Sequence, residues 1–174
     1  CGRAFAYELF GIEPDVMTLA KGIGGGVPLA ALLCKEPFNC FEPGDQGGTF
    51  CGNPLMAAVG LAVVNEVCSE AFLQEVRARA QQLSQGLQAV VSDHGLVAER
   101  GAGLLRALVL PTDQAEQVVT AARQLQPLGL LINAPRRNVI RLMPALTISA
   151  DEVDQSLALL RLALGSALES GAAG

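Results

Sequence analysis

The nineteen residues from Val16 to Cys34 hold a single charge, Lys21. Apolar runs flank it, Val16 to Leu19 before and Leu29 to Cys34 after, and four of the five residues that follow it are glycine. Apolar runs of this length, bounded by turn residues, predict short strands covered on both faces. The stretch therefore predicts two buried strands joined by a glycine-rich turn, with the lysine in the turn. Apolar surroundings disfavour an ammonium and lower its pKa. A neutral amine attacks carbonyl carbons and forms Schiff bases. The glycines let backbone, or a bulky flat ligand, come close. The alternative is a turn lysine pointing into water. A phosphate loop is disfavoured, because that motif ends in Gly-Lys-Ser/Thr at the start of a helix; here the lysine comes first and no Ser or Thr follows.

Downstream, Phe38 to Gly48 reads as a loop rich in Pro, Gly and acid. Asn53-Pro54 predicts a helix start, with Asn as N-cap and Pro at the first helical position. Leu55, Ala58, Val59, Ala62, Val63 and Val67 follow at helical spacing. Thr49 and Gly52 then lie just ahead of a helix N-terminus, where free N–H groups and the dipole favour an anion such as phosphate. The alternative is that Thr49 satisfies a loop backbone group. Ser69-Glu70 opens a second helix with Phe72, Val76, Ala80, Leu83, Leu87 and Val90 on one stripe. Gly101 to Gly103 marks a boundary, and Leu104 to Leu110 predicts a strand containing Arg106. Asp113 to Glu116 resembles a capping box for a third helix, stopped by Gln126-Pro127-Leu128-Gly129. Leu130 to Ile132 and Val139 to Leu142 predict two strands around an Asn-Ala-Pro-Arg-Arg-Asn turn. Ser149 to Glu152 is a second capping box, opening a helix with Val153, Leu157, Leu160, Leu164 and Leu168 on its buried stripe. Residues Gly171 to Gly174 are expected to fray.

The 174 residues are 51% apolar and 17% charged, as for a folded globular chain. A net charge of −5, with no basic stripe carrying aromatics, argues against nucleic-acid binding. No apolar run reaches a membrane-spanning length. The five cysteines, Cys1, Cys34, Cys40, Cys51 and Cys68, have no metal-type spacing, and an odd number points to reduced, cytoplasmic thiols. Cys51 lies close to Thr49 and so near any ligand there. His94 is the only histidine and reads as a helix-end residue, leaving no material for a zinc site or a Ser/His/Asp triad. Arg141 alternates with Ile140 and Leu142, so it leaves its strand by one face alone. Its fork could grip a carboxylate in two places, or it could be a rim arginine in a surface ion pair. Arg106, Arg136 and Arg137 read as solvated or packing residues.

Three segments, in order, resemble class III (ornithine-type) aminotransferases, pyridoxal-phosphate enzymes of fold type I. They are Ile12-Glu13-Pro14-Asp15-Val16-Met17-Thr18-Leu19-Ala20-Lys21-Gly22 onward to Ala31, Gly47-Gly48-Thr49-Phe50-Cys51-Gly52-Asn53-Pro54-Leu55, and Val139-Ile140-Arg141-Leu142-Met143-Pro144-Ala145-Leu146. The resemblance implies an α/β chain that is the C-terminal part of such an enzyme. Residues 1–67 would be the tail of the large cofactor domain and 68–174 the small C-terminal domain. It implies Lys21 as the catalytic, cofactor-bearing lysine, Thr49 as a contact to the pyridoxal 5'-phosphate phosphate across a homodimer interface, and Arg141 as the holder of the substrate α-carboxylate. Gly48 stands where the family has Ser.

The implied substrates are N-acetylornithine and 2-oxoglutarate, in arginine biosynthesis in the cytoplasm. Ornithine, succinylornithine and 4-aminobutyrate are alternative donors. The family's glycine turn for the phosphate, its stacking aromatic and its aspartate for the ring nitrogen have no counterpart here. The 174 residues alone are therefore expected to be inactive and to associate through bare apolar strands. A rival reading is a truncated paralogue that binds a partner or an anion through Gly47 to Gly52.

Overall fold

The computed structural model describes residues 1–171. The expected fraying end lies, but for Gly171, outside the described residues. The chain divides into two compact units, residues 3–73 and residues 74–174 together with Cys1 and Gly2.

In the unit 3–73, β1 (Val16–Leu19) and β2 (Ala31–Cys34) pair antiparallel, with Val16 opposite Cys34 and Leu19 opposite Ala31. The strands fall where the apolar runs predict them, but they are not buried. Val16, Leu32 and Leu33 are each about half exposed. A two-stranded ribbon has no covering layer of its own, and α1 (Pro54–Val67) packs on the glycine turn rather than on the ribbon. Gly24 and Gly60 are the two buried residues of this unit. As expected, α1 starts at Asn53, whose Oδ1 accepts from the amides of Leu55 (3.0 Å) and Met56 (3.3 Å).

Helix α2 (Glu70–His94) is capped by Ser69, whose Oγ accepts from the Phe72 amide at 3.3 Å. It turns Val76, Ala80, Leu83, Leu87 and Val90 inward. His94 is its last residue. Strands β3 (Ala98–Ala102) and β4 (Leu105–Val109) then form a tight antiparallel hairpin. Strand β3, Ala-Glu-Arg-Gly-Ala, reads as a boundary in isolation, and pairing with the apolar β4 overrides its weak propensity. Arg106 is not solvated. Its NH1 donates to Glu99 Oε1 at 2.9 Å, with both side chains largely buried, and its Nε donates to the Gly103 carbonyl at 2.7 Å.

Helix α3 (Ala115–Gln124) begins one residue later than the expected box, and its N-cap, Gln114, makes no side-chain cap bond. The Gln114 side chain is engaged by the Thr112 hydroxyl, which donates to it, while the Ala115 amide donates to the Arg137 carbonyl at 2.9 Å. The strand expected over Leu130 to Ile132 is absent, and Leu131 is 84% exposed. Strand β5 (Asn133–Arg136) lies inside the expected turn and pairs irregularly with β6 (Val139–Leu142). Pro135 is tolerated there because β5 is an edge. The sheet order is β3-β4-β6-β5, all antiparallel.

Helix α4 (Ala150–Gly171) opens with a complete capping box. The Glu152 carboxylate accepts from the Ser149 amide and hydroxyl, both at 2.8 Å, and the Glu152 amide donates back to Ser149 Oγ. These bonds, the backbone one first, hold the Glu152 carboxyl below its ordinary pKa. Gln82 Nε2 donates to the Ala150 carbonyl and to Asp154 Oδ1, and Arg161 reaches Asp93. The register advances in step on both helices, so α4 runs parallel to α2. Leu87, Leu108, Leu110, Ile140, Leu160 and Leu164 fill the core of this unit with exposures of 1% or less. Among the described residues, no single helix is long and apolar enough to cross a membrane.

Candidate active site

Lys21 opens a short 3-10 turn, Lys21–Gly24, between β1 and β2. It is exposed, not enclosed in apolar side chains, because the ribbon around it is bare. Its backbone is unusual instead. Lys21 has φ +55°, the one positive φ outside glycine among the described residues. Left-handed backbone costs a residue with a Cβ about 1–2 kcal/mol. Such conformations persist where the surroundings impose them, and they cluster at functional sites.

The chain has two lysines, and their environments differ. Lys35 Nζ lies 3.2 Å from Asp15 Oδ1 and 3.5 Å from Glu13 Oε1. The hydrogen bond to Asp15, with the charge of Glu13 behind it, raises the Lys35 pKa and keeps it charged. Among the described residues Lys21 has no acidic partner. Lys21 is thus the amine that can be spared for a carbonyl.

Thr49 is exposed in the consecutive turns that lead into α1. The Cys51 amide donates to the Gly48 carbonyl at 3.0 Å and the Asn53 amide to the Phe50 carbonyl at 3.2 Å. The first amides of α1 are not free, as the sequence suggests, because Asn53 takes them. The Thr49 hydroxyl and the Thr49 and Phe50 amides are not hydrogen-bonded among the described residues, which leaves them as donors an anion could use. The positive end of the α1 dipole adds to them. A Cβ on Gly48 would fall 2.6 Å from Cys51 Sγ, so the thiol stands in the room that a side chain at 48 would need.

Arg141 belongs to the other unit. It lies on β6, opposite Ala107 of β4 and Asn133 of β5. Its Nε donates to Asn133 Oδ1 at 3.2 Å. That bond steadies the guanidinium and leaves its two terminal NH2 groups without a partner among the described residues, the arrangement a carboxylate grips in two places. Asn133 carried no sequence signal, since it lies in a stretch that reads as a turn. Lys21 and Thr49 share the unit 3–73, while Arg141 sits in the unit with its own core.

The donor set matches two ends of a phosphorylated aldehyde: an unpaired amine for the carbonyl, and a hydroxyl with loop amides for the phosphate. Residues 1–164 match the aminotransferase class-III family, and the chain belongs to that family. It is 53% identical over 164 residues to an acetylornithine aminotransferase of Ralstonia nicotianae, covering 94% of this chain and 41% of that protein. It is 54% identical over 156 residues to acetylornithine aminotransferase 2 of Bordetella parapertussis, covering 90% of this chain and 39% of that one. The solved N-acetylornithine aminotransferase of Stenotrophomonas maltophilia K279a superposes with a TM-score of 0.82 at 29% identity, over 97% of this chain and 44% of its own.

The chain thus spans about two fifths of the length of the curated relatives it matches. It has the α/β fold expected of the C-terminal part of a pyridoxal-phosphate-dependent transferase. Class-III aminotransferases depend on pyridoxal 5'-phosphate.

Proposed function

We propose that this chain is the C-terminal part of a cytoplasmic, homodimeric enzyme of arginine biosynthesis that moves an amino group from N-acetylornithine to 2-oxoglutarate. The observation that carries the reading is Lys21, the unpaired lysine held in left-handed backbone on a glycine turn. Residues 1–67 then end the large cofactor domain and 68–174 form the small domain. The similarity to named acetylornithine aminotransferases supports the donor. The thiols of Cys34, Cys40, Cys51 and Cys68, in no disulfide, suit a reducing compartment.

Pyridoxal phosphate, when bound, supplies the electron sink. Lys21 Nζ would hold the cofactor through its carbonyl carbon. As a free amine it would be placed to move the proton to and from the carbon that bears the transferred nitrogen: Cδ of N-acetylornithine, whose α-nitrogen is acylated, and Cα in the 2-oxoglutarate half-reaction. Thr49, with its neighbouring amides, holds the phosphate from the partner subunit's side. Arg141 would hold the substrate α-carboxylate and so fix where along the substrate the reacting carbon lies.

The test is turnover of the full-length protein with four amino donors against 2-oxoglutarate. N-acetylornithine should give the highest kcat/KM; a higher value for ornithine, succinylornithine or 4-aminobutyrate would reassign the donor. The 174 residues alone, given the same substrates and pyridoxal phosphate, should not turn over.

Arg141 has its own check. Arg141→Lys keeps the charge but loses the fork. A charge-assisted contact of this kind is worth about 1.5–3 kcal/mol, so KM should rise on the order of ten- to hundredfold for both substrates. Unchanged kinetics for both would remove Arg141 from the site.

A further inference from the structure

We propose that Gly60, in the middle of α1, is a positioning residue for Lys21, acting through Leu29. The role assigned to Lys21 rests on the function proposed above; the contact itself does not. Gly24 and Gly60 are the two buried residues of the unit 3–73, and both face Leu29. A Cβ on Gly60 would lie 2.3 Å from Leu29 Cδ2 and 3.5 Å from the Ile23 carbonyl oxygen. A Cβ on Gly24 would lie 3.2 Å from Leu29 Cβ. Leu29 is therefore clasped between the turn that Lys21 opens and the helix. One helical turn further on, Val63 Cγ2 comes within 2.7 Å of the place a Gly25 Cβ would take. Residues 60 and 63 share a helix face, so α1 presents a two-point seat to the lysine turn.

The turn needs such a seat. Three bonds close it internally: the Ile23 amide to the Ala20 carbonyl at 3.4 Å, Gly25 to Gly22 at 3.1 Å and Val27 to Gly24 at 3.1 Å. The first is long for an amide hydrogen bond and the other two lie toward the long end of the ordinary range, and they must hold a lysine in a backbone region that disfavours it. Glycine inside a helix is itself unfavourable relative to alanine. At position 60 its missing side chain is what lets the turn approach.

The test uses the full-length protein with Gly60→Val, Leu29→Ala and the two combined. Amide hydrogen exchange is read at Ile23, Gly25 and Val27 and along α1. In Gly60→Val the three turn amides should exchange about ten-fold faster while the α1 amides keep their protection. In the cofactor-loaded protein the turnover rate should fall about ten-fold with KM unchanged, as for a misplaced reacting group. Leu29→Ala in the same chain should restore both readouts, because the added methyls fill the room Leu29 vacates.

Unchanged exchange at the turn overturns the proposal. So does loss of protection throughout α1, which marks general loosening, and so does failure of the double substitution to restore the turn. Where the pyridoxyl label goes in the unaltered protein decides the role of Lys21 separately. A label elsewhere ends that role and leaves the exchange result to judge the contact, whereas a label on Lys21 with unchanged exchange ends the Gly60 proposal alone.

Discussion

Borohydride reduction of the full-length protein loaded with pyridoxal phosphate should leave the pyridoxyl label on Lys21 and none on Lys35. The amine that attacks a carbonyl must be neutral. Lys35 is held charged by Asp15 at 3.2 Å and Glu13 at 3.5 Å, and its pKa is raised accordingly. Lys21 carries no such partner among the described residues. Peptide mapping reads the outcome, and a label on Lys35 would end the assignment. Lys21→Ala should cost on the order of 10³-fold in turnover, the size of effect expected when the group that moves a proton is removed. The fold should survive, because the side chain is exposed. Lys21→Gly should be equally inactive yet more stable by about 1 kcal/mol, since glycine adopts φ +55° without a Cβ penalty. If it melts lower than the unaltered protein, the left-handed backbone is not strained.

The largest stability effect should come from Gly101→Ala in the β3–β4 hairpin. Gly101 has φ +141°, and a Cβ there would fall 2.1 Å from the Leu105 carbonyl oxygen and 2.9 Å from Arg106 Cα. Both are backbone atoms of the paired strand, so neither can swing aside as a side-chain tip can. Relief requires opening the ladder where Arg106 is bonded to Glu99 and to the Gly103 carbonyl. The expected loss is at least about 3 kcal/mol, or a melting temperature lower by on the order of 15 °C for a unit of this size. Gly95→Ala is the control. Gly95 has φ +62° with nothing within 4 Å of the added carbon, so it should lose only about 1 kcal/mol. Equal losses at the two positions would show that backbone angle, not collision, sets the cost.

Much of this architecture is legible in local patterns. Asn53-Pro54 and Ser149 to Glu152 mark helix starts because their side chains bond to amides two or three residues away. The stripe from Val76 to Val90 marks a helix because its spacing matches the turn of the helix. The expectations that failed depend on partners distant in sequence. Strand β3 exists because β4 pairs with it, and β5 slides into Asn133–Arg136 because β6 holds it there. The site follows the same division. Lys21 stands out by its isolation in the sequence, whereas its φ, the pairing of Lys35 with Asp15 across the ribbon and the hold of Asn133 on Arg141 need coordinates. Gly60 is visible as a lone glycine in a helical pattern, a known sign of close packing, but only the fold names Leu29 as its neighbour.

The scarcity of buried residues between Arg3 and Leu73 also bears on how long such a chain survives in a cell. A protease or chaperone samples segments that open easily. The sheet unit keeps Leu87, Ile140 and Leu160 sealed inside. The stretch around Lys21 offers Phe10, Leu32, Phe41 and Phe50 to any such probe without opening at all. Until those side chains are covered, the part that bears Lys21 is also the part most open to quality control.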